Sequence, residues 1–132
     1  MDNFMDIIST WVEETEQNID DILQTIVMKI GKTVVTLSPV DTGRFKGNWQ
    51  LSIDTGSSAS LLREDPDGYA TLSDMSRTVN SFTAGQIAYI QNHVLYGYDL
   101  EYGSSKQAPD GVVRITAARF AGIVNEAVLL HK

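Results

Sequence analysis

Apolar residues recur at helical spacing from near the first residue to a proline at position 39. Phe4, Ile8, Trp11, Thr15, Ile19, Ile22, Ile26, Ile30 and Val34 follow steps of three and four, joined by Ile7, Val12, Leu23 and Val27. The spacing predicts one amphipathic helix over residues 2 to about 36. Acids at its start, and Lys29 and Lys32 near its end, complement the helix dipole. At about 1.5 Å per residue such a helix is about 50 Å long, more than one small domain covers. A polar interval, Glu13 to Asn18, divides the stripe into two apolar halves. Two arrangements meet this pattern. The helix kinks at the interval and packs both halves on its own domain, or its first half, with Phe4 and Trp11, docks on a neighbouring subunit. The acidic face is a solvated surface in either case.

Ser38-Pro39 ends the helix, because the residue before proline avoids helical angles and proline lacks the amide the ladder needs. Asp41 then suits the cap of a short turn through Gly43, Arg44 and Phe45. Asp41-Thr-Gly43 also spells the aspartic-protease triplet. That chemistry needs two carboxylates sharing a proton, and the flanking proline and basic Arg44-Phe-Lys46 do not suit a catalytic strand. A helix cap is the better account.

Trp49, Leu51 and Ile53 alternate with Gln50, Ser52 and Asp54, which predicts a strand with one apolar face. Residues 54–68 read as a flexible polar loop, longer than most connections, and either disordered or ordered by a partner. Glu64, Asp65 and Asp67 lack the ligand order of a calcium loop and read as a plain turn. Tyr69 to about Phe82 is expected to be a second helix, with Leu72, Met75 and Val79 on one face and Ala84-Gly85 ending it. Ile87, Tyr89 and Gln91 alternate with Ala88, Ile90 and Asn92 in a second strand that pairs with 49–54. Val112 to about Leu130 is expected as a third helix entered through Asp110-Gly111. Its apolar side is Val112, Ile115, Ala118 or Arg119, Ile123, Ala127 and Leu130, broadened by Val113, Phe120, Val124 and Val128. The expected fold class is α+β: a long N-terminal helix, a small antiparallel sheet and two further helices in a single domain.

Charge narrows the possible roles. The net charge is −7. Asp2, Asp6, Glu13, Glu14, Glu16, Asp20 and Asp21 precede the first Lys or Arg, and the remaining acids and bases cancel. With no basic stripe the chain is a poor candidate for gripping DNA phosphates. Hydrophobic residues make up 42% of the 132 positions, so a packed core is expected. Cysteine is absent, which excludes disulfides and cysteine-based metal sites. No apolar run nears the ~20 residues that span a bilayer. Asp2 and Asp6, with no basic residue beside them, argue against a signal peptide. A soluble, cytosolic product is expected.

Between the second strand and the last helix lies a tyrosine-rich turn, Tyr96 to Tyr102, in which Tyr98, Glu101 and Tyr102 share one side. A loop, Gly103-Ser-Ser-Lys-Gln-Ala-Pro109, follows. Amphipathic rings beside a polar, glycine-bearing loop are common at protein–protein contacts. Tyr96, Leu100-Glu-Tyr-Gly103 and Ser105-Lys-Gln-Ala-Pro109 with Gly111 and Arg114 resemble the C-terminal signature of the tail-completion (neck) proteins of long-tailed, lambdoid-type bacteriophages. A second block, Ser38-Pro-Val-Asp-Thr-Gly-Arg44 with Gly47 and Trp49, stands upstream at the separation expected of that family. Together the blocks and the pattern between them cover roughly residues 20 to 128. This chain departs from the family in reading Asn92-His-Val-Leu-Tyr96-Gly97, where the family tends to read Asn-Asn-x-Pro-Tyr-Ala.

The resemblance implies a structural role at the phage neck, in a ring that joins tail to head around the DNA path, often with sixfold symmetry. Implied partners are copies of the chain and adjoining neck and tail proteins, with no membrane and no specific nucleic-acid contact. It also implies that Asp41, Gly43, Arg44, Trp49, Tyr96, Glu101, Tyr102, Gly103, Lys106, Pro109 and Gly111 serve structure or interfaces. A polar helix face lining the lumen would keep passing DNA from sticking. A tail terminator or head-closure stopper of the same apparatus is the nearest alternative, and an acidic regulator or DNA mimic the remote one.

Enzymatic patterns are missing. His93 and His131 are the only histidines, and no metal-ligand spacing, P-loop, GxSxG or GxGxxG occurs. Asp99 and Glu101 would point to different sides of a helical turn, which is unsuited to an acid–base pair. Glu101 is expected to pair with Lys106 or Arg114. His93 is expected at a strand end with a satisfied hydrogen bond. No catalytic residue, metal or cofactor is expected.

Overall fold

The long apolar periodicity is realised as a single helix. A computed structural model of the chain describes residues 4–94, 97, 101 and 111–131, with the backbone alone for residues 4, 11, 12, 14, 15 and 17. Helix α1 spans Phe4–Leu37, unbroken across Glu13–Asn18. No proline or glycine stands in that interval to break it. The two halves differ in burial. Val27, Val34 and Val35 are buried and Leu23 and Met28 pack against the core, whereas Met5, Ile7 and Ile8 are exposed. The kinked arrangement, with both halves on their own domain, is therefore not adopted.

Ser38 closes α1 from a buried position. Its hydroxyl donates to the Val34 carbonyl at 2.6 Å and accepts the Trp49 indole N–H at 2.8 Å. The chain then turns at Gly43 (φ +89°) into a short 3-10 turn, Lys46–Asn48. Asp41 is not the cap of this turn. It is exposed, and Thr42 Oγ1 instead accepts the Arg44 amide at 3.2 Å.

Strand β1 (Gln50–Ile53) pairs antiparallel with β2 (Ala88–Gln91), with Leu51 opposite Ile90 and Ile53 opposite Ala88. These four side chains form the apolar face that packs on the core. Helix α2 (Tyr69–Val79) buries Thr71, Met75 and Val79, one residue per turn. It crosses α1 closely: a Cβ on Gly31 would lie 2.7 Å from Met75 Sδ. The helix stops short of the expected Phe82, because that ring turns inward to pack with Val27 and Val79.

Residues 54–68 are fastened by the chain itself. Gln50 Nε2 donates to Ala59 O at 2.9 Å, the Ser57 amide to Gln91 Oε1 at 2.9 Å, and the Leu61 amide to Asn48 Oδ1 at 2.5 Å. Arg63 reaches the Gly47 carbonyl at 2.7 Å and pairs with Asp74. Neither disorder nor a partner is needed to account for the path of this loop.

The C-terminal apolar stretch is two helices, α3 (Val113–Ala118) and α4 (Phe120–Leu130), separated at Arg119. The break changes which residues face inward. Val112, Thr116, Ile123 and Ala127 are buried, whereas Ala118, Arg119 and Leu130 are exposed, contrary to the expected stripe. Helix α4 runs back along α1 as far as a 2.7 Å hydrogen bond between His131 Nε2 and Thr25 Oγ1, with Lys29 and Glu126 paired at 3.1 Å on the way. The fold is α+β, with a two-stranded sheet among helices.

Candidate functional site

The first motif block forms a hub under the 54–68 loop. The Gly43 carbonyl accepts the amides of Gly47 (2.8 Å) and Asp65 (2.9 Å). A Cβ on Gly43 would strike the Pro66 nitrogen, so both the positive φ and the close approach require glycine. Trp49 is buried with its ring edge-on to Phe45, centroids 5.7 Å apart. Arg44 points to solvent, and its carbonyl accepts Asn48 Nδ2 at 2.5 Å. Asn48, wholly buried, ties the hub to the loop through both ends of its amide. Asp65 is buried on the Thr71 amide (2.8 Å) and hydroxyl (2.7 Å). Burial alone would raise its pKa, but the bonds from Thr71 and the Ala70 amide outweigh that and hold it below the ordinary value. Sequence reasoning missed Asn48 and the Asp65–Thr71 pair. The only available signal was an amide side chain set between Gly47 and Trp49 and a carboxylate six residues before a threonine.

The second block contributes Glu101, Gly111 and Arg114. Tyr96, Tyr102, Gly103, Lys106 and Pro109, like Asp99, lie outside the described residues. The Glu101 carboxylate caps α3 from a distance, accepting the amides of Val112 (2.8 Å), Val113 (2.6 Å) and Arg114 (3.0 Å). Arg114 Nε adds an ion pair at 3.0 Å, and its guanidinium also reaches the Glu101 carbonyl. The expected pairing of Glu101 with Arg114 is thus present and belongs to a helix cap. Burial pushes the Glu101 pKa up, yet the three amides and the guanidinium prevail and keep it below the usual glutamate range. Gly111 (φ +86°) must be glycine, since a Cβ there would sit 2.5 Å from Glu101 Oε2. The two blocks meet across a cleft of about 260 Å³ lined by Phe45, Trp49, His93, Gly97, Glu101 and Val113.

His93 Nε2 lies 3.0 Å from Ser57 Oγ, which is also 3.3 Å from Gln91 Oε1. Among the described residues no carboxylate orients the imidazole, so the pair fastens the loop and lacks the third member a nucleophile needs. Among the described residues no group of three His, Cys, Asp or Glu could hold a metal ion. No described helix is long and apolar enough to cross a membrane.

Among the described residues, two apolar surfaces remain uncovered. One is the first half of α1, where Met5 is 66% and Ile7 58% exposed. The side chains of Phe4 and Trp11, expected to contact a neighbour there, lie outside the described ones. The other is on α3 and α4, where Val113 and Phe120 are exposed at a cleft beside the core and Leu129 on the opposite side of α4. Apolar patches of this kind mark interaction sites more often than monomer surface. Compared with protein-family models, curated proteins and solved structures, the chain matches none.

Proposed function

We propose that this chain is a structural subunit of the neck of a long-tailed bacteriophage, a tail-completion protein that acts by forming a ring between tail and head around the DNA channel. The observation that carries this reading is the projecting half of α1, an apolar stripe held away from the core that the described residues build. A stripe so placed is stabilised by another subunit, not by its own. The two motif blocks that carry the family resemblance converge around Phe45, Trp49 and Glu101, as residues shaping a common scaffold would. Partners in this reading are copies of the chain and neighbouring neck and tail proteins. Acids on the helix would repel passing DNA.

Cryo-electron microscopy of the purified protein, with native mass spectrometry, tests this. A closed ring, sixfold on the family pattern, is the expected result. A protein that stays monomeric at tens of micromolar, or phage particles completed normally without it, would overturn the proposal.

A further inference from the structure

The two uncovered apolar faces lie on different elements of one chain. The first half of α1 extends past the point where α4 ends against Thr25. On the other side, α4 has only Asn125 and Glu126 as polar residues. A helix apolar on nearly every side is normally covered on more than one, yet Phe120 is 50% and Leu129 65% exposed. We infer that the projecting half of α1 from one copy docks at the α3–α4 junction of the next, on Val113 and Phe120, head to tail. This rests on the ring reading above and names the contact that would build it.

Charge, shape and symmetry agree. The projecting segment belongs to a stretch with seven acids and no base. On α3 and α4 the only acid, Glu126, is already tied to Lys29. Arg119 there is exposed, with no carboxylate partner among the described residues. Phe120 and Val113 border an apolar cleft of about 180 Å³ floored by Ile30, Val34 and Ile90, with room for a branched aliphatic side chain such as Ile8. Pairing α1 with α1 would instead set the two acidic segments side by side and end at a dimer. A contact between two unlike patches repeats from copy to copy and closes a ring when the rotation allows.

The test uses Ile8→Asp and Phe120→Asp in the full chain, with mass measured by light scattering after size exclusion. Both positions are exposed, so helical circular dichroism should be retained. Ile7→Asp and Val113→Asp, also exposed, replace either variant that loses it. Each variant alone is expected at monomer mass. Their equimolar mixture is expected at twice that mass and no higher, because each supplies the face the other lacks. Assembly by either variant alone, or a mixture that stays monomeric, overturns the inference. A wild-type ring whose variants still assemble leaves the ring reading standing and removes only this contact. Open chains with the predicted mixing behaviour would do the reverse.

Discussion

Glu101 joins two segments that sequence places apart. One carboxylate takes three consecutive amides at the start of α3 and a guanidinium besides, which satisfies donors that a helix start otherwise leaves open. Gly111 exists to let it in. Gly111→Ala is expected to cost at least ~2 kcal/mol, from the left-handed φ together with the clash, measured as a lowered urea midpoint. The carboxylates also set an acid limit. The folded pKa values of Glu101 and Asp65 lie below their ordinary ones, so their stabilisation is complete above about pH 4, the unfolded range. It is lost as pH falls through the folded values. Denaturant midpoints should therefore hold from neutrality to about pH 5 and drop below pH 4, and Glu101→Gln should remove part of that drop.

Helix α1 behaves as two elements with one backbone. Isolated helices of roughly 12–15 residues are marginal in water, and in the first half Met5, Ile7 and Ile8 are exposed. In the unassembled protein, amides of residues 5–16 are expected to exchange with little protection, while those of 27–35, under α2 and α4, exchange only through global opening. Equal protection along the helix would contradict this. The sequence displayed α1, α2 and the strand pair well, because Ile and Val at fixed steps and a proline stop act locally. It displayed the C-terminal break poorly. Val112 to Leu130 has no proline, and its sole glycine, Gly122, sits inside α4, so nothing marks Arg119 as the point where the buried side shifts to Thr116. The fastening of the 54–68 loop was likewise hidden, since it depends on single side chains such as Asn48 and Arg63 that meet distant carbonyls and amides. Of the motif residues, Gly43, Trp49, Glu101 and Gly111 were recognisable as fixed points. Their partners Ser38, Pro66 and Phe45 became apparent only once the chain was folded.

At the scale of the molecule, the core is small and two apolar faces remain outside it. Association that covers those faces adds to stability by mass action. The melting temperature of the wild-type protein should rise with protein concentration, whereas that of Ile8→Asp should not, as read by calorimetry at several concentrations. The order of synthesis gives the same architecture a further meaning. Helix α1 is sealed by an element made long after it: Thr25 waits for His131, and Lys29 for Glu126. Until residue 131 has been added, a nascent chain has α2 to lay over α1 and leaves the side that α4 takes open. Seven acids and no base precede Lys29, and like charge of that density disfavours the approach of unfinished neighbours to the open side.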